Sequence, residues 1–310
     1  MVFFKQEKTS KFLERFFSNP ELAVQSLLFW GEESVGKMTT AKFFARGLLC
    51  LSSKKTWQGC GSCDSCLMIE KKLHPDLMIV EPEEGSLKIE QARKGIEFLS
   101  YCPQISGKRI LIIDQAEKMT TAAQNALLKT LEEPPQNCLL ILITTSPNML
   151  LPTVRSRLLP LRFPHASQKS IKEFLQENFS QSEKEASVIA RRAEGRIGQA
   201  IKLIEGDYKK QVQKTENELG MLLKQSFNEQ SDYLTLLAKN PDNFQIVLAT
   251  WLRLLREDVV FHAANVDLSF DQKVQLTSDF LQAAHVFKSS YDNKQLLIEN
   301  ILLNYTPYAN

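Results

Sequence analysis

SLLFWGEESVGKMTTAKFFARGLLC, residues 26–50, is the stretch on which the fold turns. The apolar run 26–30 stops at Gly31, and Gly31-Glu-Glu-Ser-Val-Gly36-Lys37 then matches G-x-x-x-x-G-K. A helical pattern follows, with apolar Phe43, Phe44, Leu48 and Leu49. In that strand–loop–helix context the glycines let backbone N–H groups curl around phosphates. Lys37 adds positive charge, and the helix dipole points at the same place. The segment predicts a phosphate-binding loop on an α/β fold.

Outward from the loop, short apolar runs alternate with helical patterns. Leu77–Val80 reads as a strand and IEQARKGIEFLS (89–100) as an amphipathic helix. RILIID (109–114) has the continuous apolar character of a buried parallel strand. The helix TTAAQNALLKTLEE (120–133) is stopped by Pro134 and Pro135, and the strands CLLILITTS (138–146) and LRF (161–163) follow. The alternation predicts a parallel sheet covered on both faces. After Pro164 the strands cease. Residues 168–205 read as three short helices, and everything from about 209 reads as helical, including 244–261 and 294–305. The expected organisation is a P-loop domain over 1–165, a helical lid over 166–208 and an all-α domain over 209–310.

The loop departs from a working ATPase at its next position. A Ser or Thr hydroxyl normally ligates Mg²⁺ there, whereas Met38 offers a thioether that a hard cation does not take. Thr39 lies about 100° further round the helix and does not simply replace it. Asp114 ends a strand where a Mg²⁺-organising acid belongs, but the next residue is Gln115, a neutral amide unable to accept a proton from water. The pocket reads as built but disarmed.

Four cysteines fall within seventeen residues: Cys50, and Cys60-x2-Cys63-x2-Cys66. Four thiolates at that spacing suit a tetrahedral structural zinc site; an iron–sulfur cluster is the competing occupant. Four sulfurs leave zinc no open position, so no hydrolytic role follows. Cys102 and Cys138 read as isolated thiols, and the four histidines (74, 165, 262 and 285) stand singly. With 310 residues, the chain is neither small nor cysteine-dense enough for a secreted disulfide scaffold.

Composition narrows the function classes. Lys and Arg number 38 against 36 Asp and Glu, a formal net charge of +2. That is no bulk electrostatic grip on nucleic acid, which weakens a zinc-containing DNA-binding regulator as a reading; only Lys54, Lys55, Lys71 and Lys72 flank the cysteine cluster. Early charges in the N-terminal stretch and prolines in the longest uncharged stretch argue against a signal peptide and a membrane helix, so a cytoplasmic location is expected.

The order of the phosphate loop, four-cysteine insertion, HPD (74–76), ILIIDQAEKM, NALLKTLEEPP (125–135) and TVRSR (153–157) resembles the bacterial clamp-loader AAA+ family. DNKQLLIENILL (292–303) is similar to that family's C-terminal helix. The resemblance implies an AAA+ module, a helical lid and a collar that joins motor (gamma/tau-like) and delta subunits in a five-membered ring. Through that ring the chain would meet the sliding clamp and primed DNA, with no membrane partner. It also implies that Arg157, in Thr153-Val-Arg-Ser156-Arg157-Leu158, is an arginine finger reaching a neighbour's ATP. Leu158 replaces the family's usual cysteine. Thr144 and Thr145 fall in the sensor-1 region, and Gly198 takes the place of the lid arginine, with Arg196 two residues early. Met38, Gln115 and Gly198 together favour the family's non-hydrolysing scaffold subunit, with a motor ATPase as the alternative. Gly31, Gly36, Lys37, Asp114, Thr144 and Thr145 then form a vestigial nucleotide site where ATP or ADP binds weakly or not at all. The collar is expected to close the chain without a long tail.

Overall fold

Five apolar runs become strands: β1 (Ser26–Trp30), β2 (Leu77–Val80), β3 (Arg109–Ile113), β4 (Cys138–Thr144) and β5 (Leu159–Arg162). All pair in parallel, in the order β2-β3-β4-β1-β5. The computed structural model describes residues 4, 6–19, 25–204, 218–224, 227–238, 241–261, 268–286, 298 and 301. The chain divides into two compact units, residues 1–201 and 202–310.

In the first unit the central strands β3 and β4 are buried along their whole length, which is why they read as unbroken apolar runs. Period-two alternation sends their side chains to two layers. Leu28, Leu111, Leu140 and Leu142 pack with residues of α4 (Ile89–Ser100) and α5 (Thr121–Glu132). Leu27, Phe29, Ile112 and Ile141 pack on the opposite side with residues of α1 (Glu7–Ser18) and α2 (Lys37–Leu49). The last strand begins two residues earlier than LRF suggested, with Pro160 inside it. Among the described residues it is an edge strand bonded only to β1, so a missing N–H costs little.

Among the described residues three α-helices, α1, α3 (Asp64–Glu70) and the one-turn helix Pro152–Arg155, have no counterpart in the sequence reading. α1 buries Leu13 and Phe16 on one face. α3 starts inside the cysteine segment, between Cys63 and Cys66. That segment lies tightly on α2: a Cβ at Gly47 would stand 2.0 Å from the Trp57 carbonyl oxygen, so only glycine allows this approach.

HPD (74–76) is a structural brace. Asp76 accepts N–H bonds from Gln104 (2.7 Å), Ile105 (2.8 Å) and Ser106 (3.1 Å). His74 Nδ1 accepts from the Asp76 N–H at 3.0 Å, which leaves the hydrogen on Nε2, 3.0 Å from Ser65 Oγ and 3.1 Å from Ser106 Oγ. Ser65 belongs to α3, so the brace ties the cysteine segment to the sheet. Burial pushes the His74 pKa down. At Asp76 burial pushes upward, but the three N–H bonds outweigh it and the pKa falls below the usual 3.8. Both folded values are depressed. The stability they contribute is therefore present above the unfolded values, about 6.5 and 3.8, and is lost as the pH falls through the folded ones. We expect Asp76→Asn to cost about 1–3 kcal/mol at pH 7, because buried donors lose a charged acceptor. Its deficit against the wild type should narrow below pH 3.8. Urea unfolding between pH 7 and pH 3 measures this, and equal stability at every pH would refute the brace.

Helices α6 (Pro152–Arg155), α7 (Gln168–Phe179), α8 (Glu183–Arg192) and α9 (Ile197–Ile204) follow α5 in the chain. The second unit packs the helices Phe227–Ala238, Pro241–Phe261 and Phe270–Val286 around Trp251, Phe280, Leu234, Leu255 and Leu276. A buried Asp258 is paired with Lys273 at 2.9 Å. Most of the helical reading over 209–217 and 294–305 lies outside the described residues; Ile298 and Ile301 are helical and buried. No helix among the described residues is long and apolar enough to cross a membrane.

Candidate functional site

Parallel pairing of β3 with β4 and of β4 with β1 brings three strand ends together, with Ile113 opposite Leu142 and Trp30 opposite Thr144. Ligands of open α/β sheets bind at such carboxyl ends. A cavity of about 260 Å³ opens there, lined among others by Gly36, Lys37, Asp114, Gln115, Thr144 and Thr145. Gly36 has φ +96° and caps the N-terminus of α2, the first turn of which faces the cavity. Gly31 stands behind it. Its N–H donates to the Thr144 carbonyl at 3.3 Å, and a Cβ on it would lie 2.4 Å from the Phe163 oxygen.

The loop's carbonyls are held by donors from three parts of the chain. Lys37 Nζ donates to the carbonyls of Gly31 (2.7 Å) and Glu32 (2.6 Å). The Gly198 N–H donates to the Ser34 carbonyl at 2.7 Å, and Gln6 Nε2 donates to that of Val35 at 3.0 Å. Gly198 thus does more than lack a guanidinium. A Cβ there would meet Ser34 at 3.1 Å, so α9 rests on the phosphate loop because its residue is glycine. Arg196 turns to Glu194 at 3.1 Å and is not among the lining residues. Met38 lines the cavity beside Thr39 and Thr40 and also packs on the α2 layer of the core.

Burial lowers the Lys37 pKa, against the pull of Glu117 and Asp114, and burial raises that of Asp114. Glu117 is the residue that sequence reasoning missed. It stands three positions after Asp114 in D-Q-A-E, on a 3-10 turn, Ala116–Lys118, that brings it to the cavity. Thr145 Oγ1 donates to its Oε1 at 2.6 Å. Burial alone would raise the Glu117 pKa, but the Thr145 bond and others outweigh it and the net shift is downward. A carboxylate so held is a weak base.

Arg157 lies apart from this cavity, just after α6. Its Nη2 donates to Glu132 Oε1 at 2.7 Å and its Nη1 to the Thr153 carbonyl at 2.8 Å. The arginine and glutamate side chains are 36% and 51% exposed, so the guanidinium is accessible from outside the chain.

The four cysteines form a second centre. Cys50 follows α2, Cys63 caps α3 and Cys66 lies in its first turn. Their sulfur atoms all lie within 4.8 Å of one another, with Cys50–Cys63 at 3.8 Å and Cys60–Cys66 at 3.9 Å. Zn–S bonds of about 2.3 Å in a tetrahedron require S···S edges of about 3.8 Å, so the cage fits zinc. N–H groups of Cys60 and Cys63 point at the sulfurs of Cys50 (3.4 Å) and Cys60 (3.3 Å), as thiolates require. Donors led by the Ser62 N–H bring the Cys60 thiol down to about 5, while burial pushes Cys66 up to about 12. Cys102 is exposed, and Cys138 donates to the Leu99 carbonyl at 3.1 Å within the core.

A family model described as DNA polymerase III, delta subunit, matches residues 5–167. Over 132 residues the chain is 36% identical to a Pseudomonas aeruginosa protein named DNA polymerase III subunit delta′, covering 42% of this chain and 40% of that one. Its identity to the Bacillus subtilis protein of the same name is 38% over 148 residues, 48% of this chain and 44% of the relative. A Haemophilus influenzae protein named DNA polymerase III subunit tau/gamma is 31% identical over 205 residues, 63% of this chain and 30% of its own length. The matches thus span less than half the length of these relatives.

Proposed function

The chain belongs to the DNA polymerase III delta-subunit family, and we propose that within it this chain is a delta-prime-type, non-hydrolysing scaffold of a clamp loader. In that role it joins motor and delta subunits in a five-membered ring through residues 209–310. The ring loads the sliding clamp on primed DNA in the cytoplasm, and Arg157 serves a neighbour's ATP site. Residues 166–208 act as the lid.

The observation that carries the reading is the chemistry of the cavity. A phosphate loop is present, yet the first turn of its helix offers Met38 where a metal-binding hydroxyl belongs, and Gln115 follows Asp114. The second carboxylate, Glu117, is held by Thr145. Nucleotide contacts would come from the α2 N-terminus and Lys37, and activation of a water would lack its base. Zinc in the four-cysteine cage would hold the 50–66 segment against α2, and the closed set of four sulfurs assigns it no part in hydrolysis.

The test is steady-state ATP hydrolysis by the purified chain, alone and with primed DNA and clamp. We expect no turnover above background in either case. The similarity to tau/gamma subunits supports the second reading, a motor ATPase. Turnover stimulated by DNA and clamp would establish that reading and overturn the scaffold.

A further inference from the structure

The Arg157–Glu132 pair joins two stretches that the sequence reading treats separately. Glu132 is the last residue of α5, just ahead of the Pro134-Pro135 stop, and Arg157 follows α6. A carboxylate at a helix C-terminus faces the negative end of the dipole and is unfavourable there without a cation. Arg157 supplies that cation at 2.7 Å. The grip is one-sided: Nη2 holds Glu132, while Nη1 is anchored on the Thr153 carbonyl and stands 3.4 Å from Ser156 Oγ. A carboxylate and a phosphate oxygen bind guanidinium through the same charge-assisted geometry. They compete for one Nη2 group.

We infer that Glu132 is a reversible holder of Arg157, a positioning residue that competes with the neighbouring subunit's nucleotide phosphate for the guanidinium. The inference rests on the arginine-finger reading and deepens it. Exposure of both partners keeps the hold weak, so a phosphate presented by a well-seated neighbour displaces it. In a ring whose neighbour is poorly seated, the arginine stays on Glu132.

The test is ATP turnover at saturating ATP by the ring reconstituted with its motor and delta partners, with this chain as wild type, Glu132→Gln, Arg157→Ala or the double variant. Removing the competing charge should raise kcat about 1.4- to fivefold, the span of an exposed ion pair. The gain should vanish in the double variant, and the melting temperature of the chain should barely move. Glu132→Ala should act in the same direction, which guards against a peculiarity of the amide. If Arg157→Ala depresses turnover while Glu132→Gln leaves it unchanged or lowers it, the finger stands and the competition is refuted. If Arg157→Ala changes nothing, the finger reading fails and this inference falls with it.

Discussion

Chelation of the folded chain is expected to release one zinc per molecule and to open residues 50–66 to proteases. Two S···S separations, 3.8 and 3.9 Å, already sit at the edge length of a zinc tetrahedron. With the cation, four thiolates gain strong bonds; without it, the buried Cys66 thiol is pushed up to about 12 and protonates, leaving a weakly bonded cluster. Structural zinc contributes about 10–16 kcal/mol in small peptides, and part of that is retained wherever the ligands hold a segment in place. Here the segment also supplies Trp57, whose backbone closes over Gly47, and Ser65, which contacts His74. Loss of metal should therefore loosen the end of α2 as well as the loop. Cys63→Ala should reduce bound zinc to near zero, whereas Cys102→Ala, an exposed thiol outside the cluster, should keep one zinc per chain. Acidification should release the metal as thiolates protonate. Metal analysis of the wild type that finds no zinc refutes the site.

What was legible in the sequence had a local cause. β1, β3 and β4 read clearly because burial on both faces leaves continuous apolar runs, and α4 because its apolar spacing and polar face are self-contained. The cysteine cage was legible because ligand spacing is itself geometric. Elements that depend on partners were not. α1 carries its signal in Leu13 and Phe16, which acquire meaning only against the α2 side of the sheet, and α3 is hidden by cysteines and small residues that look like loop. At the cavity, Glu117 was not legible because an acid three positions after Asp114 would point away from the site if the strand simply continued. The turn over Ala116–Lys118, entered through Gln115 at φ +49°, is what carries the next acid inward. Gly198 read as a missing arginine; its close approach to Ser34 depends on how the chain returns across the loop, which no spacing encodes.

Replacing Arg157 by alanine should leave the chain folded and remove hydrolysis at one site of the assembled ring. Folding survives because the side chain is on the surface: its pair with Glu132 is worth about 0.2–1 kcal/mol, or a few degrees in melting temperature at most. The catalytic loss is far larger, since an arginine finger supplies about 10³–10⁵ in rate at the site it serves. That asymmetry makes the experiment decisive: a structural role would move stability and turnover together, whereas a finger moves turnover alone. Arg157→Lys should behave almost like alanine, because an ammonium keeps the charge but loses the planar fork that can grip phosphate and Thr153 at once. In single-turnover experiments the burst should shrink by one site's share if the motor sites fire independently, and should disappear if they fire together. An intact ring with an undiminished burst would mean that Arg157 is held by Glu132 for the fold alone.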